Sequence, residues 1–173
     1  AHLAYSSRKW NWRVQQEYIS ENFTSEVGFV PRNNYFKLEG SVGYLFLPAS
    51  DKIVSHGPKY TGFYYFDPNM NSTDYVSIVG YALNFLDRSS LSVDVFNEYV
   101  QLLAPFDPTN TGKEELAAGT RHHWNGIYIS YDSRPKNLFT YNLTSRLGRY
   151  FSGGYRTNIN AELGYRFQPY VSL

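Results

Sequence analysis

The sequence predicts an all-β fold: an antiparallel, up-and-down transmembrane β-barrel wall, with about nine strands in this chain. Three observations predict it. Apolar and polar residues alternate with period two over long segments, and short connections alternate with longer ones. Aromatic residues are also in excess, with 17 Tyr and 12 Phe against a single Met.

The last long segment is the clearest. Tyr155, Thr157, Ile159, Ala161, Leu163, Tyr165 and Phe167 take the odd positions, and Arg156, Asn158, Asn160, Glu162, Gly164 and Arg166 the even ones. A period of two sends the two sets to opposite faces of a strand. The run is also far longer than the roughly five or six residues of an ordinary soluble strand.

The other elements follow in order. His2–Ser7 and Trp10–Ile19 open the chain across the short link Ser7–Lys9. Tyr35–Leu47 sets Phe36, Leu38, Gly40, Val42, Tyr44 and Phe46 against Lys37, Glu39, Ser41 and Gly43. Two segments are less clean: Ile53–Phe66 is interrupted by Gly57-Pro58, and Tyr75–Leu86 is apolar on both faces. In Leu91–Leu103, Leu91, Val93 and Val95 oppose Ser92 and Asp94; in His122–Asp132, Ile127, Ile129 and Tyr131 oppose Tyr128 and Ser130. Leu138–Phe151 places Phe139, Tyr141, Leu143 and Leu147 against Thr140, Asn142, Thr144 and Arg146, and Tyr155–Val171 closes the series. No amphipathic helix is expected beyond one turn at Lys113–Ala118.

The connections favour a membrane wall over a soluble sandwich. Ser7–Lys9, Pro48–Lys52, Asp87–Ser90 and Ser133–Asn137 are short, and they alternate with the longer Ser20–Asn34, Asp67–Asp74 and Ala104–Arg121. Up-and-down barrels keep short turns on the periplasmic side and longer loops outside, whereas Greek-key crossings give no reason for this alternation. Ser152-Gly153-Gly154 reads as a tight external hairpin, where glycine adopts positive φ without penalty.

Composition excludes several classes. Sixteen basic against 15 acidic residues give no electrostatic case for nucleic acid or anionic membranes, and the absence of cysteine removes disulfides and thiolate metal sites. No stretch approaches the roughly twenty apolar residues of a membrane helix; the most apolar window, 78–86, is short and contains Asn84. A mildly negative mean hydropathy suits a barrel, where only alternate residues meet lipid.

Four phrases carry a family resemblance: Glu26 to Arg32 (EVGFVPR), Pro105 to Pro108 (PFDP), Arg121 to Asn125 (RHHWN) and Gly164 to Ser172 (GYRFQPYVS). Together they resemble the C-terminal outer-membrane barrel region of a Bacteroidota family of unknown function. Its full-length members pair that region with an N-terminal carbohydrate-binding domain of the family nine type. The resemblance spans Trp10 to Leu173. It implies a Gram-negative outer-membrane location and a barrel of sixteen strands or more, of which residues 1–173 would be one part. It also implies contact with outer-membrane lipid, and with the rest of the barrel or companion outer-membrane proteins. A glycan ligand would enter through a domain outside this chain. The resemblance supplies no catalytic residue.

Candidate sites were weighed against plainer roles. His122 and His123 are adjacent, so a strand points them to opposite faces and they cannot share one metal. Asp107 to Gly112 has an acid first and a glycine sixth, as in a calcium loop, but the twelfth position is Ala118, where a bidentate acid is needed. The Asn-X-Ser/Thr triplets at Asn22, Asn71 and Asn142 are too short to carry weight. Asp94 and Glu98 share a face and could in principle do acid–base work, but charges of a barrel interior ordinarily pair across strands. No catalytic residue, metal or cofactor is expected.

The expected lumen-lining residues are Lys37, Glu39, Asp94, Glu98, Arg146, Arg156, Asn160, Glu162 and Arg166. Pairing with Glu162, Glu39 and Asp94 is the plainer fate of the arginines, against a basic strip that selects anions. Arg149 has the parity of the lipid face, where it is tolerable only near an interface. Trp10, Trp12, Trp124, Tyr155 and Tyr170 are expected in an interfacial aromatic girdle. The function that fits is a non-enzymatic passage or anchoring scaffold, tied to glycan handling or protein export. Two alternatives remain: a surface hydrolase whose catalytic part lies elsewhere, and a soluble lipocalin-like carrier.

Overall fold

The alternating segments form strands that pair in chain order, each antiparallel to the one before, in a single sheet. The computed structural model describes residues 1–23, 33–112, 114–151, 153–167 and 171–172. The strands are β1 (His2–Ser6), β2 (Trp10–Ile19), β3 (Tyr35–Tyr44), β4 (Ile53–Phe66), β5 (Ser72–Phe85), β6 (Ser90–Gln101), β7 (Arg121–Asp132), β8 (Phe139–Tyr150) and β9 (Gly154–Phe167). A two-residue β10 (Val171–Ser172) pairs with β9. The all-β, up-and-down expectation therefore holds. The sheet is open: among the described residues β1 pairs with β2 alone and no ladder joins it to β9.

Element boundaries depart from expectation where tertiary contacts intervene. β3 ends at Tyr44, past which the Leu45 N–H still donates to the Lys9 carbonyl at 2.8 Å and Phe46 forms an isolated bridge with His56. Gly57-Pro58 does not interrupt β4. Its ladder with β3 is interrupted there: it stops at Gly43 opposite Lys59 and resumes only as the Phe46–His56 bridge, with Pro58, which has no N–H, in the gap. β5 starts early, at Ser72, because a bulge accommodates Thr73, whose hydroxyl donates to the Tyr65 carbonyl at 3.2 Å. The helical turn expected at 113–118 does not form over the described residues 114–118. Leu116 and Phe106 instead exchange N–H···O bonds of 2.8 and 3.0 Å. So short a segment cannot nucleate a helix by itself. The β8–β9 hairpin turns on positive φ at Phe151 (48°) and Gly153 (85°).

Register assigns every strand residue to a face. The row Tyr81–Val93–Ile129–Ser145–Ile159 crosses five strands on one side, and Gly80–Asp94–Tyr128–Arg146–Asn158 runs beside it on the other. Exposure is inverted relative to a water-soluble protein. Ile159 and Leu163 are 72% and 68% exposed, whereas the Arg146 and Glu98 side chains are only 16% and 15% exposed. Along β7 the odd residues from Arg121 to Ile129 are exposed and the intervening even ones are not. Among the described residues the only buried hydrophobics are Phe96, Leu102 and Trp124. At about 25 cal/mol per Å² of apolar surface buried, so small a core does not hold the fold. Ladder hydrogen bonds and cross-strand side-chain pairs do.

Candidate functional site

The polar face is built around charge pairs that reach over glycines. Glu98 on β6 sits opposite Trp124 on β7 and accepts a 2.7 Å bond from its indole Nε1. Arg146 on β8 lies two positions further along the face, in the row of Tyr128. Its Nη2 nonetheless donates to Glu98 Oε1 and Oε2 at 3.1 and 3.0 Å. The intervening row is Phe96–Gly126–Gly148–Arg156. A Cβ on Gly126 would collide with the Phe96 ring, and one on Gly148 with the β7 backbone. The glycines thus make room for the fully buried Phe96 ring, and the Arg146 guanidinium lies 4.7 Å from the centre of that ring.

A second pair follows the same rule. Lys59, Gly80 and Asp94 form one row across β4, β5 and β6, and the ammonium meets the carboxylate at 3.0 Å across the bare α-carbon. A Cβ on Gly80 would occupy the place of the Asp94 carboxylate. Lys37 pairs with Glu39 at 3.1 Å, and the Tyr35 hydroxyl donates to Glu17 at 2.7 Å. Asp132 accepts from Ser90 at 3.0 Å and from Asn142.

All the expected lumen-lining residues therefore share one face: Lys37, Glu39, Asp94, Glu98, Arg146, Arg156, Asn160, Glu162 and Arg166. Their pairings differ from expectation. Arg146 takes Glu98, Asp94 takes Lys59 and Glu39 takes Lys37. Arg156 lies over Tyr150 at 5.2 Å and donates to Asn158 at 2.7 Å. Asp94 and Glu98 are both engaged by cations, so neither is left free as an acid–base pair. His122 and His123 fall on opposite faces, as their adjacency requires; His122 Nε2 meets Thr120 Oγ1 at 2.9 Å.

The opposite face has aromatic margins around an aliphatic band. At the end carrying the longer connections, Tyr64, Tyr75 and Tyr99 form a ladder with ring centres 6.0 and 5.4 Å apart, beside Phe36–Phe66 at 6.1 Å. At the short-turn end, Trp10–Tyr44, Tyr44–Phe46 and Phe46–His56 are in contact at 4.8, 4.9 and 5.2 Å, and Tyr131–Tyr141 at 5.7 Å. Val79, Val93, Val95, Ile127, Ile129 and Ile159 lie between the margins. Tyr75 to Tyr81 on β5 and Tyr155 to Tyr165 on β9 bracket that band. At about 3.3 Å per residue it is roughly 20 to 33 Å long along the strands.

Of the expected girdle residues, Trp10, Trp12 and Tyr155 lie on this face. Trp124 lies on the polar face, 7% exposed and stacked on Phe151 at 4.7 Å. Tyr170 is outside the described residues.

The 102–120 connection folds back over the β8–β9 hairpin and leaves an open cavity of about 570 Å³, lined in part by Asp107, Glu114, Tyr150, Tyr155 and Arg156. Asp107 is committed to the loop itself. It accepts from the Thr109 hydroxyl and N–H at 2.6 and 2.8 Å, and from the Thr111 and Gly112 N–H groups at 2.8 and 2.9 Å. Those donors, the Thr109 hydroxyl foremost, hold its carboxyl at about 2, below the ordinary 3.8. The same segment that resembled a calcium loop is thus a turn closed on its own backbone. Among the described residues no cluster of three or more His, Asp or Glu is placed to hold a metal ion.

Fold and faces together define an open antiparallel meander with an exposed apolar face and with ion pairs on the opposite face. No family model, no curated protein and no solved structure matches the chain.

Proposed function

We propose that this chain is wall of a bacterial outer-membrane β-barrel, non-enzymatic, acting as a passage or an anchoring scaffold. One observation carries the reading: large aliphatic side chains such as Ile159 and Leu163 are exposed, and the Arg146–Glu98 and Lys37–Glu39 pairs are shielded. Water penalises that arrangement, and a hydrocarbon layer rewards it. The aromatic margins fit the headgroup levels. The band between them, on strands tilted as barrel strands are, is comparable to the roughly 25 Å apolar belt of such proteins. The open edges, at β1 and beyond the short β9–β10 pairing, would be closed by further strands, from the same barrel or from companion outer-membrane proteins, since lipid tolerates no open edge. The longer connections then face the exterior.

The resemblance of the four sequence phrases leads us to assign the wall to that Bacteroidota family. Glycan handling or protein export is the process it would serve, with any carbohydrate bound by a domain outside this chain. A lipocalin-like carrier is the poorer fit, because it would turn the apolar face inward and leave the charges to solvent.

The test is behaviour in detergent. The purified chain should require detergent for solubility, and its mobility on a gel should change between unheated and boiled samples. A monomer that stays soluble without detergent, with Ile159 and Leu163 protected from solvent, would overturn the reading. Conductance in a planar bilayer then separates a passage from a closed scaffold.

A further inference from the structure

Charge is distributed over the apolar face in a strongly one-sided way. By ladder register, the described strand residues of that face include no aspartate, no glutamate and no lysine. Its only arginines are Arg121 on β7 and Arg149 on β8. Both lie at the margin with the longer connections, on neighbouring strands. Arg121 is opposite Gln101, and Arg149 is opposite Tyr155. Extending the β7–β8 ladder one step beyond Gly126–Gly148 sets Asn125 beside Arg149. Both arginines are exposed, and among the described residues neither has an ion-pair partner.

Their surroundings are polar too. His123 and Asn125 lie between them on β7, and Asn97 and Gln101 flank them on β6. Four residues of rise and one strand spacing put the two α-carbons about 14 Å apart, so two long side chains can converge on one group. Among the described strand residues, the opposite margin of the same face carries aromatic rings and His56 but no arginine or lysine.

We propose that Arg121 and Arg149, with the polar residues between them, bind a phosphorylated lipid headgroup in the leaflet on the long-loop side. This rests on the membrane-wall reading above. A guanidinium matches phosphate oxygens with two parallel N–H donors. A basic group facing lipid is tolerated at the interface, where such headgroups lie, and is costly at mid-depth. Among the described residues no acid lies on this face and no loop carboxylate pairs with either arginine, so an anion of the membrane is the partner left to them. The aliphatic band below would hold the acyl chains, which free phosphate lacks.

The experiment uses the full chain in uncharged detergent micelles, with native mass spectrometry reading bound lipid. The probes are dioleoyl phosphatidic acid and, as the phosphate-free control, dioleoylglycerol. Phosphatidic acid should be retained in preference to the control. Arg121→Gln and Arg149→Gln should each weaken its binding roughly fivefold, and the double variant roughly 25-fold, at the strength of a basic side chain near an anionic membrane surface. Arg121→Lys and Arg149→Lys should keep most of the binding. Arg156→Gln, on the polar face, should change nothing. Unchanged binding in the double variant would overturn the assignment, as would displacement of the lipid by an equal concentration of inorganic phosphate. Detergent partitioning of the wild type, measured alongside, separates the two levels. A chain that does not partition removes the membrane reading itself, whereas partitioning with insensitive variants removes only the headgroup site.

Discussion

The two faces of this sheet apply opposite rules to the same kinds of residue. On one, Ile129, Ile159 and Leu163 are exposed and no charge pair occurs among the described residues. On the other, Glu98, Arg146 and Asp94 are shielded by their neighbours and by one another. Aromatic residues occur on both, with different roles. Trp10 and Tyr44 meet edge to face at an outer margin, whereas Trp124 is buried and spends its N–H on Glu98. Glycine also divides. Gly80 and Gly126 open the polar face so that salt bridges and a phenyl ring can lie flat against the backbone. The difference teaches that polarity is sorted by face and not by depth.

The sharpest way to break the comparison is to put the same charge on adjacent residues of β7. Ile129 and Ser130 are neighbours on opposite faces. Ile129→Arg should lower folding stability in phosphatidylcholine vesicles by about 2–4 kcal/mol, the penalty for arginine at the middle of a lipid face. Ser130→Arg should stay within about 0.5 kcal/mol, as a surface substitution does. Urea titration followed by tryptophan fluorescence reads both. Equal losses at the two positions would erase the distinction between the faces.

A smaller effect sharpens the inner side. Arg146→Met leaves Glu98 with neutral partners alone, the Trp124 indole N–H and the Tyr128 hydroxyl, and should cost about 1–3 kcal/mol, as for loss of a charged hydrogen-bond partner. Glu98→Met should cost a similar amount by leaving Arg146 and Trp124 unmatched. The double variant should lose clearly less than the two single losses added, because the same interaction is removed only once. Strict additivity in the same titration would show that the pair is incidental.

Much of this division was legible in the sequence, for a physical reason. A strand's side chains alternate strictly, so parity alone grouped Lys37, Glu39, Asp94, Glu98 and Arg146 before any pairing was known. Partner choice was not legible. Arg146 and Glu98 lie 48 residues apart and meet only because two ladders and a pair of glycines bring them together. Trp124 was assigned to the margin by residue type, although its even position beside Tyr128 and Ser130 already put it on the polar face. Arg121 precedes the segment that the sequence pattern starts at His122, so the pattern gives it no face. Only with β7 beginning at Arg121 does it join Arg149 on one margin.

The smallest effect lies outside the wall, in the 102–120 connection, where neither face's rule applies. The Asp107 carboxyl titrates near 2 in the folded loop against an ordinary 3.8, held down first by the Thr109 hydroxyl and then by three backbone N–H groups. A depressed folded value means the ionised form closes the turn. Its contribution is complete above about 3.8 and is lost as the pH falls through about 2. Amide exchange at Thr109, Thr111 and Gly112 should therefore stay slow at pH 3, where an ordinary aspartate is mostly protonated, and should quicken towards pH 2. Asp107→Ala should raise those exchange rates severalfold at pH 4.5 while leaving the amides of β7 untouched, because the turn is bonded only to itself. If the β7 amides loosen as well, the loop and the wall are one cooperative unit, and the contrast between faces must extend to the loop that covers the β8–β9 hairpin.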